Sequence, residues 1–404
     1  SSNLGSNTNN GYLDCLPRVV HGAMPRVSRC LHAVPLGAHR LFTPGPLTTS
    51  AAVKEAARFD VGSRDATFLK VSSSIRDRLL SIAGVSKERG YECVLLPGSG
   101  SYSLEAMLGS VVPRKGGKAM VLCNGAYGER QAHICSHAQI PFVRLDHPWN
   151  RAYPAQRVAE ALEAHPDVTH LSFVHHETTA GVLNPVEEIV ELARSVRPEL
   201  KVCVDAMSSF GVYDVDMAKG IDFVCSGMNK GIEGIPGCTF VLCERAALLA
   251  SEGSARCFTM DLHLQWRNFE KSGEFRFTPP TQTILAFDQA LREWDAEGGA
   301  AGRRARYTEN YEIILAAMTD LGFRAYVEDP GERGCIITTY VCPESLAPAW
   351  DFRAFYQKLA DRGFLIYPAT VGGAQAFRVG NIGQLFPRDA RDLAAAVRAV
   401  VAEM

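Results

Sequence analysis

One lysine, Lys230, stands in the segment Asp222–Gly237 (DFVCSGMNKGIEGIPG), after a short apolar run and small polar residues and just ahead of glycines. An amine held at a crowded, glycine-lined strand end loses hydration, which lowers the pKa of its ammonium and prepares it for Schiff-base chemistry. Taken alone, the same residue also reads as an ordinary surface lysine. Asp205 ends a second apolar run, Lys201–Val204, and precedes Ala206-Met207-Ser208-Ser209. A carboxylate there needs a cation or several donors, so it either balances a protonated ring nitrogen or caps the next helix. A third run, Cys93–Leu96, opens into Pro97-Gly98-Ser99-Gly100-Ser101. Small residues let backbone N–H groups at a helix start approach an anion such as a phosphate. A tight structural turn explains the loop equally well, because it is neither a Walker motif nor a GxGxxG fingerprint.

The elements that must position these groups follow from periodicity. Apolar strand candidates lie at Cys93–Leu96, Ala119–Cys123, Phe142–Leu145, Val168–His175, Lys201–Asp205, Asp222–Cys225 and Thr239–Cys243, with helical periodicity at 102–111, 126–137, 155–164 and 185–197 between them. Strands alternating with helices predict an α/β fold with a mostly parallel, doubly wound sheet. Ligands on such sheets bind beyond the carboxyl ends of the strands, where all three candidate groups fall. Further on, the pattern predicts helices at 51–58, 74–86, 282–297 and 301–321. A second αβ pattern (strands Cys335–Tyr340, Phe364–Tyr367 and Ala376–Gly380, helices 351–362 and 388–402) suggests a smaller C-terminal α+β domain over 300–404. The large domain is expected over 41–299 and an N-terminal extension over 1–40.

A phosphate cradle, a ring-nitrogen acid and a Schiff-base lysine, in that order at strand ends, match the needs of pyridoxal 5′-phosphate, whose protonated ring nitrogen keeps it an electron sink. The order and the wording resemble the fold-type I pyridoxal-phosphate enzymes, in the class V aminotransferase branch. The resemblance runs from about Leu41 to the C-terminus. It includes LFTPGPLTTS (41–50), GSGSYSLEAMLGS (98–110), NGAYGER (124–130), HHETTAGVLNP (175–185), VDAMSSFG (204–211), MNKGIEGIPG (228–237), QWR (265–267), RFTPPTQTILAF (276–287) and FRVGNIG (377–383).

The resemblance implies a role for each matching position. Lys230 is the Schiff-base lysine and the base that moves a proton between substrate and cofactor carbons. Ser99, Gly100 and Ser101 hold the cofactor phosphate with help from Asn229, Tyr127 stacks on the pyridine, and Asp205 pairs with its nitrogen. Thr179, with Thr178 as a neighbour, contacts the phenolic oxygen. Thr278 reaches the phosphate from a neighbouring subunit, which implies a homodimer with a shared site. Arg378 grips the anionic end of the substrate, and an arginine fork suits a phosphonate and a carboxylate alike. The implied reaction moves the amino group of 2-aminoethylphosphonate to pyruvate, giving phosphonoacetaldehyde and L-alanine. Alanine–glyoxylate or serine–pyruvate transamination is the alternative, ahead of a lyase or desulfurase and of a phosphate-binding module without covalent chemistry. Two departures from the family pattern, Tyr367-Pro368-Ala369-Thr370 and Glu233, lie where substrate preference is expected to be set.

Other constellations are weaker. His133 and His137 are four apart on a predicted helix but lack the intervening glutamate of an HExxH site, and no metal is expected. His175-His176-Glu177 falls at a strand end beside the cofactor, with no role assigned to His176. A net charge of −2 over 404 residues and the lack of a basic run argue against nucleic acid or a membrane surface as partners. The 12 cysteines are scattered, many within apolar strands, and read as buried thiols of a reducing compartment such as the cytoplasm. Residues 1–10 are polar and low in complexity. The arginine-rich stretch Gly11–Arg40 suits either a floppy extension or an organellar, mitochondrial transit segment.

Overall fold

The computed structural model describes residues 39–344, 346, 350–371 and 374–404. The expected N-terminal extension lies outside the described residues except for its last two. Arg40 already belongs to the fold: Arg40–Leu41 pairs in parallel with Phe364–Leu365, and the Arg40 guanidinium bridges Asp389 at 3.0 Å and Asp392 at 2.7 Å.

Seven strands form the main sheet: β1 (Tyr91–Gly98), β2 (Ala119–Cys123), β3 (Phe142–Asp146), β4 (His170–Val174), β5 (Lys201–Asp205), β6 (Phe223–Gly227) and β7 (Gly237–Glu244). Their spatial order is β1-β7-β6-β5-β4-β2-β3. Strands β2 to β6 pair in parallel, and β7 runs against both β1 and β6. The sheet is therefore mostly parallel, as expected. Its strands are almost continuously apolar and buried, because helices cover both faces of such a sheet.

Helices α1 (Ala66–Ile82), α2 (Gly100–Val111), α3 (Ala126–His137), α4 (Ala155–Ala164) and α5 (Val186–Val196) follow the expected segments in order. The difference is α1, which starts at Ala66 rather than near 74. Asp65 caps it by accepting from the Thr67 N–H at 2.8 Å, a local signal that outweighs the weak apolar periodicity of its first turns. Helix α6 (Leu262–Ser272), not expected from periodicity, is likewise capped by Asp261, which accepts from Leu264 N.

The chain continues through α7 (Thr281–Ala296) and α8 (Gly299–Asp320) into a four-stranded sheet. Its strands are β8 (Arg324–Ala325), β9 (Ile337–Val341), β10 (Tyr367–Val371) and β11 (Ala374–Gly380), in the order β8-β9-β11-β10, all antiparallel. Helices α9 (Phe352–Ala360) and α10 (Pro387–Ala402) cover it. Two large apolar cores result, with two smaller clusters, around Tyr307 and Val327, beside them. One runs from Val53 to Leu291 around the main sheet; the other joins Phe42 to Ile314, Phe377, Leu393 and Val400.

The Lys230 loop is tied to the second unit by a buried charge cluster. Glu233, 2% exposed, takes donors from Arg306 at 2.7 Å and from the Tyr307 hydroxyl at 2.5 Å, with Arg303 at 3.1 Å and Gln384 at 3.2 Å. Arg303 also donates to Gly231 O at 2.8 Å, and both arginines share Glu297. Glu233 does not line the active cavity, where substrate preference was expected to be set: its side chain points into this cluster. Breaking one member of a buried ion pair leaves an uncompensated charge, which costs about 3–5 kcal/mol. Glu233→Ala is therefore expected to lower the midpoint of thermal unfolding by several degrees; an unchanged midpoint would show that the cluster adds nothing to stability.

Candidate active site

The carboxyl ends of β1, β5 and β6 open on one cavity of about 560 Å³, lined among others by Ser99, Gly100, Ser101, Asp205, Asn229 and Lys230. Strand β1 ends at Gly98 and α2 begins at Gly100, with Ser99 in extended conformation between them and its hydroxyl making no cap bond. The N–H groups of Gly100 and Ser101 precede the first bond of the helix, Tyr102 N to Ser99 O at 2.8 Å, and so have no intrahelical partner; both residues line the cavity with Ser99. A Cβ at Gly100 would lie 2.3 Å from Met207 Sδ, so any larger residue there requires the Met207 side chain of the turn after β5 to move. These features suit a phosphate dianion.

Asp205 is 2% exposed. One of its oxygens accepts from Met207 N at 2.9 Å, so it fixes the local turn as well as facing the cavity. Burial pushes its pKa up to about 7, and no cationic side chain among the described residues lies within ion-pair distance of it. A protonated ring nitrogen would supply the missing charge.

Lys230 enters from the other side, two residues after Met228. Its Nζ donates to Pro44 O at 2.6 Å, and a Cβ on Gly45 would come within 2.4 Å of that nitrogen. Gly45 has φ +122, so the LFTPGP turn presses a bare backbone against the lysine tip. Burial lowers the Lys230 pKa to about 8; Asp205 opposes the shift, and the Arg130 and Arg378 guanidiniums add to it. A group with a depressed ammonium pKa carries a free amine above that value. Acetylation of the apoprotein by acetic anhydride should therefore reach half its maximal rate at Lys230 near pH 8, against about 10.4 for an unperturbed lysine. Peptide mapping across a pH series measures this, and a midpoint near that of an unperturbed lysine would refute the burial argument.

Tyr127, on the first turn of α3, lines the same cavity. That turn is held by Glu177, whose carboxylate accepts from Tyr127 N and Gly128 N, each at 3.2 Å, and from Thr179 N at 3.0 Å. Thr179 also donates its hydroxyl to Glu177 at 2.6 Å and accepts from Ala126 N at 3.0 Å. Thr178, not Thr179, lines the main cavity, while Thr179 lines a smaller chamber next to it. Arg378, on β11, lies in that chamber with Pro368 and Ala369. His176 reaches the cavity wall with Nδ1 at 3.0 Å from Ser208 Oγ and its other ring nitrogen unpartnered. Burial pushes its pKa down to about 3, so the ring is neutral.

Thr278 is not brought to this cavity. Within one chain it sits in a separate cleft with Ser63, Arg64, Glu274 and Phe277. Two residues that the sequence reading left without a role complete the site. Glu177 has no local signal that separates it from any strand-end acid. Arg130 could have been found, because it lies three residues after Tyr127 on a helix and so shares its face.

An α/β fold with a lysine, a strand-end aspartate and a helix start around one cavity has the arrangement of the pyridoxal-phosphate enzymes of fold type I. The class-V aminotransferase family matches residues 68–343, and the chain belongs to that family. The cofactor of the family is pyridoxal 5′-phosphate, and the residues here fit it at the phosphate, the ring nitrogen and the aldehyde. The 2-aminoethylphosphonate–pyruvate transaminase of Klebsiella pneumoniae subsp. pneumoniae is 44% identical over 364 residues, covering 88% of this chain and 96% of that protein. Its counterpart in Pseudomonas aeruginosa is 40% identical over 366 residues, 90% of this chain and 96% of that one. Among solved structures, pyridoxamine–pyruvate aminotransferase from Mesorhizobium loti superposes with a TM-score of 0.80 at 23% identity, covering 90% of this chain and 92% of that one. Alanine–glyoxylate aminotransferase from Nostoc sp. superposes with a TM-score of 0.79 at 23% identity, over 90% and 95%. These two likenesses speak to the fold.

Proposed function

We propose that the protein transfers the amino group of 2-aminoethylphosphonate to pyruvate, giving phosphonoacetaldehyde and L-alanine. The observation that carries the chemistry is the cavity shared by Ser99–Ser101, Asp205 and Lys230, with Arg378 in the adjoining chamber. The names of relatives at 40–44% identity support the choice of substrates.

Bound pyridoxal phosphate supplies an electron sink for the carbon that carries the amine. The chain's own residues do the rest. Lys230 Nζ, neutral near its lowered pKa, takes the proton from the substrate carbon and returns it on the cofactor side, a transfer that works best when the base titrates near working pH. Asp205 would keep the ring nitrogen protonated, because a buried carboxylate is stabilised only while its partner is charged. Ser99, Gly100, Ser101 and Asn229 would hold the phosphate, and the Tyr127 ring, which lines the same cavity, would stack on the pyridine. Thr179 and Glu177 hold the start of α3 so that this ring stays in place, and Arg378 orients the substrate by its anion. One site serves both half-reactions, so the kinetics are ping-pong.

The same reading makes the protein a homodimer in which Thr278 completes the phosphate site of the partner. It is supported by the distance of Thr278 from its own chain's cavity and by the exposure of Phe258 and Phe277 nearby. Among the described residues no helix is long and apolar enough to cross a membrane, and the described cysteines are free thiols.

The test is a single turnover of the yellow holoenzyme. Added 2-aminoethylphosphonate, without a keto acid, should bleach the visible band, and pyruvate should restore it. A band that ignores the aminophosphonate but bleaches with L-alanine or L-serine would overturn the donor and leave the transaminase chemistry intact.

A further inference from the structure

Arg378 shares its chamber with a second guanidinium. The chamber, about 350 Å³, is lined by Ala126, Tyr127, Trp149, Pro368, Arg378 and also Arg130, and Arg130 faces the main cavity as well. Arg130 lies over the Tyr127 ring, 4.8 Å from its centroid, and gives one N–H to Ser101 Oγ at 3.1 Å. Arg378 donates to Pro368 O at 3.1 Å and, more weakly, to Thr178 O at 3.4 Å. Neither has a carboxylate within ion-pair distance among the described residues. The acid beside Arg130 in sequence, Glu129, is spent on Arg144 at 3.0 Å. Two permanently charged side chains thus line one chamber with most of their donors free.

We propose that Arg130 is a specificity-determining residue, which with Arg378 forms a two-guanidinium clamp selecting a phosphonate over a carboxylate. The proposal rests on the donor proposed above. One arginine fork satisfies both oxygens and the single charge of a carboxylate. A phosphonate has a third oxygen and, like a phosphate monoester with a second pKa of about 6, a second charge near neutrality. Those need another donor at a different angle, and Arg130 supplies it from the helix that also carries Tyr127. A carboxylate substrate engages Arg378 and gains little from Arg130, so the second guanidinium acts on the difference between the two substrate classes. The cofactor phosphate is another possible source of the same anion chemistry beside Ser101, and the experiment separates the two.

Holoenzyme is titrated with methylphosphonate and with acetate, reading the visible band, for the native protein, Arg130→Gln and Arg130→Lys. Loss of a charged hydrogen-bond donor is expected to act as a roughly 30-fold effect. The native protein should prefer methylphosphonate by about that factor, Arg130→Gln should reduce the preference to within about 3-fold, and Arg130→Lys should restore part of it. The KM for 2-aminoethylphosphonate should rise much more than that for L-alanine. Retention of the cofactor, measured by dialysis and its absorbance, distinguishes the other source. A preference unchanged in Arg130→Gln, an equal weakening of both anions, or loss of cofactor without a change in preference would each overturn the clamp. A native protein that ignores 2-aminoethylphosphonate, yet keeps a methylphosphonate preference that Arg130→Gln removes, would discredit the proposed donor and leave the clamp standing.

Discussion

Lys230→Ala is expected to cut turnover by about four orders of magnitude, the upper range for removing a positioned acid–base group, and to abolish the covalent attachment of the cofactor as well. The structure makes this a clean experiment. The lysine side chain gives its one described hydrogen bond to Pro44 O, and the residue is packed by Gly45 rather than by a dense apolar cluster, so its loss leaves the core intact. Lys230→Arg should fail almost as completely, because a guanidinium keeps its proton and cannot act as the base. Circular dichroism and the melting temperature should stay near native for both, while the visible band and the single turnover are lost. Activity above about one percent of native in Lys230→Ala would move the catalytic lysine elsewhere.

Asp205→Asn carries the second largest effect. An amide cannot hold a proton on a ring nitrogen, so the electron sink weakens, and kcat should drop by about 10²–10³-fold, comparable to removing one preorganised electrostatic contact at a reaction centre. The cofactor should also be lost more readily on dialysis. The pH response gives a sign that can be checked. Burial raises the Asp205 pKa to about 7 in the protein alone, and the cation of a ring nitrogen would lower it again. Cofactor binding should therefore release a proton from apoprotein near neutral pH, and Asp205→Asn should not show this release. Equal proton release in both proteins would remove Asp205 from the ring-nitrogen role.

Most of the main sheet could be read from periodicity, because a parallel sheet covered on both faces demands short continuous apolar runs, and β2 and β5 coincide with the runs Ala119–Cys123 and Lys201–Asp205. Helices α3 and α4 also match their expected limits. The start of α1 was missed because its first turns lack a clean apolar stripe and depend on the Asp65 cap. The expected strand Phe364–Tyr367 divides: Phe364–Leu365 pairs with Arg40–Leu41, while β10 starts at Tyr367 and runs to Val371, since antiparallel pairing with β11 supplies backbone partners that no local pattern announces.

Residue order along the chain by itself determined the class of chemistry: an anion-binding helix start, a strand-end carboxylate and a glycine-flanked lysine, each placed by the period of the element before it. Their properties are local, because a strand that ends in a buried position must present whatever residue comes next at the sheet's carboxyl edge. Only the tertiary structure decided which side chains share a volume. It brings Pro44 and Gly45 against Lys230 across 186 residues of chain, turns Glu233 away from the cavity toward Arg303 and Arg306, and places Arg130 and Arg378 around one chamber. Burial, hydrogen-bond satisfaction and the sharing of one chamber by two guanidiniums are properties of packing between segments distant in sequence, and no spacing rule along the chain encodes them.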